Sequence, residues 1–346
     1  MKRQGWLRHG KFMGLDIQSI IMTVLTALTL ITTITIGLLL YNRFKMAMKQ
    51  TAVANAESMV ESTTDKLDAD LLNVRQITNA VNYNIIQEND ISSENFKRQF
   101  SLLYEINTDQ LQSMALYDND GAQVAAEPVS ERKKGAKAWE QDWYKNAEAD
   151  IENVHFSLPH IQNLFADGTY RYYWVISLSR SVDINDGETP RSGVLLVDMK
   201  YSVISNTMKR INESSNGIYY YLCSRDGQMI YHPRQADIDR GYFSEDCEKV
   251  AQLEDGTYEL SLNGSHGNVV VSSVAYTGWK LVGVIPDRVQ TTSINRFRYY
   301  IITAILILMM MLLEVNRIIS RKISRPILRL NESVKAYEAG GDTDIY

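Results

Sequence analysis

Any chemistry in this chain must start from few residues, since 346 positions hold only five histidines and two cysteines. His160 has no Cys, Asp or Glu at metal-ligand spacing, His232 precedes Pro233 in a turn, and His266 sits within Gly264-Ser265-His266-Gly267. A structural zinc site needs four ligands at short, regular intervals, so these three read as structural or solvent-facing, and no metal or cofactor is expected. Cys223 and Cys247 either close a disulfide, which an oxidising compartment permits, or stay as buried thiols; spacing alone leaves both open. No nucleophile stands beside a base, and Asp226-Gly227 and its counterparts read as hairpin turns rather than catalytic or phosphate-cradling loops. The chain taken alone is therefore not expected to be an enzyme. What remains is recognition chemistry. Trp143 and Tyr144 suit core or lid packing as well as ligand contact, and Asp198, in an apolar strand, suits capping a neighbouring helix as well as holding a ligand.

The elements that must carry these residues begin at a membrane. Residues 17–41 form an uncharged apolar run that spans about 37 Å as a helix, more than the hydrocarbon core of about 30 Å. A second run at 299–319 is interrupted by Glu314, which must lie near an interface. A cleavable signal peptide is the competing reading of the first run, but the run is long for a signal core. Arg43, Lys45 and Lys49 also separate it from Ala52-Val53-Ala54. Basic residues crowd the N-terminal tail, 1–16, and the stretch 317–329, whereas residues 42–298 hold 26 Lys and Arg against 35 Asp and Glu. That asymmetry predicts both termini in the cytoplasm and an outer domain at 42–298. The basic stretches at 131–137 and 317–329 are short and argue for a solvated loop and a membrane face, not for nucleic acid.

Within the outer domain, residues 42–87 contain no Gly or Pro and predict a long stalk helix. Leu67, Leu71, Val74, Ile77 and Val81 form a helical stripe that packs on its own domain or on a second copy. A hairpin is predicted over Asp118-Asn119-Asp120-Gly121, then a helical stretch from Trp139 to Glu148. Three strands follow, VHFSLPHI, YRYYWVISLSRSV and GVLLVDMKY, with turns at Ala166-Asp167-Gly168 and Asn185-Asp186-Gly187. A second hairpin over Arg225-Asp226-Gly227, a mixed connector, and the strands GTYELSL, NVVVSSVA and KLVGVI repeat that order. Each unit, about 88–205 and about 215–290, is an antiparallel sheet with helices, an α+β plan. After the second apolar run, Ile323, Ile327, Leu330, Val334 and Tyr337 have the spacing of a coiled-coil seam, and Gly340-Gly341 would stop that helix. A lone amphipathic helix on the membrane is the alternative.

Two hairpin-helix-three-strand units between apolar helices resemble the tandem PAS-like double Cache sensor domain of prokaryotic receptors. The Ser324-Arg325-Pro326 stretch, with residues 320–346, resembles the start of a HAMP linker. More narrowly, FSLPHIQN, ISLSRSV, GVLLVDMKY and IYHPRQ resemble the outer region of YesM-type sensor histidine kinases. That resemblance implies a homodimeric receptor whose distal unit binds a small molecule, and a response regulator reached only through a kinase part that would follow Tyr346. The same input module serves chemotaxis receptors and cyclic-dinucleotide enzymes, and a membrane-tethered binding protein without signalling is a further alternative.

The resemblance also implies a ligand site. In amino-acid-binding Cache domains an Arg two residues before a Trp-Tyr pair clamps the ligand carboxylate, and an Asp on a later strand holds the ammonium. Here Trp143, Tyr144 and Asp198 match, but Gln141 stands at the Arg position, and His160 and Gln162 replace a Tyr and an Asp. An amide cannot supply the two-point charged grip of a guanidinium. The set Gln141, Trp143, Tyr144, His160, Gln162, Trp174 and Asp198 is therefore expected to favour a sugar or other neutral polar molecule over an amino acid. A ligand-loaded binding protein as the true signal is the alternative.

Overall fold

The structure, a computed structural model, describes residues 17–129, 133, 135–151, 153–165, 172–185, 191–215, 217–262 and 265–338. The chain divides into two compact units, one of Ala52–Val289 and one of Met1–Thr51 with Gln290–Tyr346.

Helix α1 (Ile17–Ala80) is a single 64-residue helix that ends in a π-helical turn, Val81–Ile86, so the expected stalk is helical to its end. Its apolar stripe has an internal use: Leu67, Leu71, Val74, Ile77 and Val81 are all buried in a core shared with both sheets of the chain. Helix α2 (Glu94–Glu105), strands β1 (Leu111–Asp118) and β2 (Gln123–Glu127), and helix α3 (Asp142–Ala149) follow. Strands β3 (His155–Phe156), β4 (His160–Ile161), β5 (Trp174–Ile184) and β6 (Arg191–Lys200) complete the distal unit. Its antiparallel sheet has the order β2-β1-β6-β5-β3, with β4 also pairing β5. The strand expected over VHFSLPHI is split in two, because Pro159 has no N–H to give the ladder. The turn at Ala166-Asp167-Gly168, and Asp186-Gly187 of the next, lie outside the described residues, as does Gly340-Gly341.

Helix α4 (Tyr201–Ser214) leads into β7 (Tyr219–Cys223), β8 (Met229–Tyr231), α5 (Gln235–Asp239), α6 (Cys247–Ala251), β9 (Gly256–Leu262), β10 (Ser265–Ser273) and β11 (Lys280–Pro286). The proximal sheet is antiparallel with order β8-β7-β11-β10-β9. Residues alternate between its two faces: Tyr220, Leu222, Leu281 and Ile285 join the α1 core, while Tyr221, Cys223, Val282 and Val284 form a second core. Gly283 lets α1 approach closely, since a Cβ there would lie 3.0 Å from Val60 and 2.9 Å from the Tyr220 ring. Thr257 Oγ1 also donates to Glu57 at 2.6 Å, and the Ala275 N–H donates to Asp68 at 2.8 Å, fixing α1 against the proximal sheet.

Helices α2 and α4 were not legible as helices from pattern alone. Each carries a narrow apolar stripe on a polar body: Phe96 and Phe100 in α2, Ile204, Met208 and Ile211 in α4. α4 also begins directly at the end of β6 with no turn residue to announce it. α2 does carry a start signal, Ser93, whose Oγ accepts from the Phe96 N–H at 3.1 Å. Ser93→Ala is expected to cost about 1 kcal/mol, measured as a lower urea midpoint at unchanged slope.

In the other unit, two helical stretches are long and apolar enough to cross a membrane, the first part of α1 and Arg298–Ile319 of α7 (Asp287–Glu338). Four threonine hydroxyls of the first donate to carbonyls of their own helix, those of Thr29, Thr32, Thr33 and Thr35; Thr33 donates to the Thr29 carbonyl at 2.7 Å and Thr35 to that of Ile31 at 2.8 Å. The two helices touch where a Cβ on Gly37 would meet Ile305 and where Asn316 Nδ2 donates to Thr29 Oγ1 at 3.1 Å. Ile323, Ile327, Leu330, Val334 and Tyr337 fall within α7, which continues through Pro326, but their side chains are outside those described.

Candidate ligand site

The distal sheet turns one face to α1 and the other to α3. On β5, Ile176, Leu178 and Val182 join the α1 core, so Ser177, Ser179 and Ser181 face the other way. A cleft of about 500 Å³ opens there, between α3 and strands β3, β4 and β5. Gln141, Trp143 and Asn146 line it from the α3 side, and His155, His160 and Ser179 from the sheet side. Phe156, Ser157 and Asn163 complete the polar and aromatic wall, and Asp142 is the one carboxylate among the described lining residues.

Three of the expected residues, Gln141, Trp143 and His160, thus meet in the cleft. Trp143 is nearly buried, its ring 5.6 Å from that of Tyr117 and 5.7 Å from that of Tyr144, and its carbonyl accepts from Ser179 Oγ at 2.8 Å. Gln141 precedes α3 in extended conformation, and its amide is used at both ends: Nε2 donates to the Lys137 carbonyl at 3.3 Å, and Oε1 accepts from Asn163 at 3.1 Å. Tyr144 lies beneath the wall, donating to the Asp118 carbonyl at 2.8 Å. Burial and then the nearby Glu148 charge push its hydroxyl pKa up to about 12, so it stays a donor.

Asp198 is also beneath the cleft rather than in its wall. Ser113 donates to one carboxylate oxygen at 2.7 Å and Ser177 to the other at 2.5 Å, the two serines being its register partners on β1 and β5. It caps no helix. Ser177 Oγ also lies 3.3 Å from His160 Nε2, and His160 Nδ1 lies 3.0 Å from the Leu158 carbonyl, which requires a proton on Nδ1. Burial raises the Asp198 pKa, opposed by the two serines and by His160. The same heavy atoms serve two proton arrangements: an ionised Asp198 with a doubly protonated His160, or a neutral Asp198 relaying through Ser177 to a neutral His160.

Trp174 and Gln162 are not brought to the cleft. Trp174 is half-exposed with its ring 6.3 Å from Tyr201, and the Gln162 backbone pairs with Tyr173. Asn146, His155, Asn163 and Ser179 were not singled out by sequence; only the alternation of ISLSRS hinted at Ser179. In the proximal unit, His232 is a packed core residue among Tyr219, Tyr221 and Phe243, and its Nδ1 accepts from the Arg234 N–H at 3.0 Å. Among the described residues no three His, Cys, Asp or Glu side chains gather to hold a metal.

Two antiparallel sheets sharing one long helix, with a cleft between α3 and the distal sheet on its side away from α1, define the tandem PAS-like sensor architecture. The chain belongs to the Cache domain family, whose profile matches residues 44–294. It is similar to a probable methyl-accepting chemotaxis protein of Bacillus thuringiensis subsp. konkukian, 22% identical over 86% of this chain and 43% of that protein. It is also similar to the methyl-accepting chemotaxis protein TlpB of Bacillus subtilis, 22% identical over 70% of this chain and 34% of that protein. The chain thus spans less than half the length of these relatives. Solved structures with the same fold include the ligand-binding domain of the Pseudomonas fluorescens chemoreceptor CtaA with L-isoleucine. Its TM-score is 0.51 at 17% identity, covering 72% of this chain and 98% of that one. The ligand-binding domain of Campylobacter jejuni chemoreceptor Tlp3 with 4-methylisoleucine aligns with a TM-score of 0.53 at 14% identity, over 70% and 94% of the two chains.

Proposed function

We propose that this chain is the ligand-sensing and transmembrane input region of a bacterial receptor, with residues 42–298 outside the cell, both termini inside, and the distal cleft as the sensor. The observation that carries the reading is the cleft itself. It joins an aromatic wall to amide, hydroxyl and imidazole groups, with no Lys or Arg among the described lining residues. Hydroxyl-rich, uncharged ligands suit such a wall, because aromatic faces cover their apolar sides while amides and serines meet their hydroxyls. The fold relatives CtaA and Tlp3 were solved with amino acids, but the position that would clamp a carboxylate holds Gln141, already engaged with Lys137 and Asn163. A sugar or similar neutral polar molecule is favoured over an amino acid.

Transmission follows from β5. Its cleft face presents Ser179, and its opposite face carries Arg180, whose guanidinium donates to Asn79 at 2.9 Å and lies 5.4 Å from the Tyr83 ring centre at the end of the stalk. Ligand binding to one arrangement of β5 shifts α1, and β11 leads directly into α7. The shift is limited to the ligand's difference in affinity for the two states, about 1.4 kcal/mol per tenfold. A homodimer paired through α7, with residues 320–346 as the start of a HAMP-type connector, delivers the change.

Similarity to chemotaxis receptors supports a methyl-accepting output beyond this sequence; the FSLPHIQ and IYHPRQ runs support a histidine-kinase output as the second reading. Fusing residues 1–338 to a chemoreceptor signalling domain tests the input role. Ligand is expected to change the activity of the controlled kinase several-fold, and Arg180→Leu is expected to leave binding intact while flattening that response. A fusion that binds ligand yet never responds would sink the input role.

A further inference from the structure

The sulfur atoms of the proximal unit form a cluster that the sensing reading does not use. Cys223, on the second core face of β7, is fully buried, and Cys247, the first residue of α6, is 6% exposed. Both are free thiols. Cys247 Sγ lies 4.0 Å from Met229 Sδ, and Met229 is the register partner of Cys223 across β7 and β8. Cys223 and Cys247 belong to one buried core cluster, against which Met229 packs. Cys247 is flanked by exposed Asp246 and Glu248, so a short displacement of the five-residue α6 presents it to solvent, whereas Cys223 lies fully buried within β7.

We propose that Cys223 and Cys247 are a thiol pair that oxidises to an intramolecular disulfide in the extracytoplasmic compartment, tying α6 to the strand beside β11. The inference rests on the outer placement of this domain proposed above. The oxidant is an organic disulfide, either a small molecule or that of an oxidoreductase. The Cys247 thiolate attacks one of its sulfurs, forming a mixed disulfide and expelling one thiolate. Cys223, deprotonated in turn, attacks Cys247 Sγ and expels the second. Two S–H bonds are lost and one S–S bond forms, while the two electrons and two protons leave as two thiols of the reduced oxidant.

The tie joins β7 to α6 around a segment that also carries β8, itself paired with β7. The segment it closes, 224–246, holds one short helix, α5, with no buried residue among its five. Cys223 is also paired with Lys280, the first residue of β11, and its Sγ donates to the Lys280 carbonyl at 3.7 Å. The disulfide therefore stiffens the last strand before α7, and its reduction loosens it.

The test uses the full chain in bacterial membranes, quenched in acid, denatured and treated with a polyethylene-glycol maleimide. No adduct is expected before dithiothreitol and two per chain after it, with one adduct before dithiothreitol in Cys223→Ser. Two reactive thiols without reductant would overturn the disulfide. Placement is read separately by Arg240→Cys in a Cys223→Ser/Cys247→Ser background, using a membrane-impermeant maleimide on intact cells. Labelling there confirms the outer side, whereas its absence removes the oxidising compartment and the proposal with it. For the purified full chain, dithiothreitol is expected to lower Tm by about 5 °C or more and to leave the double serine variant unchanged; an unchanged wild-type Tm would overturn the structural tie.

Discussion

Trp143→Ala is expected to lower the unfolding free energy of the outer domain by about 3–5 kcal/mol and to abolish ligand-induced stabilisation. The indole packs at a tilt against Tyr117 and edge-on against Tyr144 while lining the α3 side of the cleft, so truncation opens a cavity and removes the aromatic face together. Trp143→Phe keeps an aromatic face and is expected to recover most of the stability. Urea denaturation with and without ligand separates the two effects. A variant that is destabilised but still gains the wild-type increment with ligand would show that the indole is core packing alone.

The second large effect concerns Asp198. Its carboxyl is fully buried, and burial keeps the proton on to higher pH than the ordinary aspartate value of 3.8. The folded state therefore binds that proton more tightly than the unfolded chain. The resulting stability is fully present below 3.8 and is lost as pH rises through the raised folded value. Asp198→Asn can still accept from one serine and donate to the other, without charge to desolvate. Its melting temperature relative to wild type is expected to climb from pH 4 to pH 8, while ligand affinity falls about tenfold as Ser177 and His160 lose the carboxylate that orders them. A pH-independent difference between the two proteins would remove the burial argument.

Much of the architecture was legible because its signals are local. Asp-Gly turns placed two hairpins, and Gly121 and Gly227 do adopt the positive φ, 69° and 79°, that such turns require. The stripe from Leu67 to Val81 announced a packed stalk, though only the fold shows that the chain's own sheets consume it. The repeated order of hairpin, helical connector and three strands gave the tandem plan. The site was less legible because its contacts are made by register. Asp198 meets Ser113 and Ser177 only once β1, β5 and β6 are aligned, and the sequence offers no local cue for that alignment. Trp174 illustrates the same point: strand side chains alternate, and the face opposite Ser177 and Ser179 belongs to Trp174, beside Tyr201. It joined the expected set as an aromatic residue rather than by a motif position, and strand parity places it away from the cleft.

The most direct measurement is isothermal titration of residues 42–298 with a panel of sugars and amino acids, repeated on Trp143→Ala and Gln141→Arg. Saturable heat is expected with one class of sugar, lost in Trp143→Ala, and amino-acid binding only once Gln141→Arg supplies the guanidinium. Tight amino-acid binding by the wild-type domain with no heat from any sugar would contradict the sugar reading.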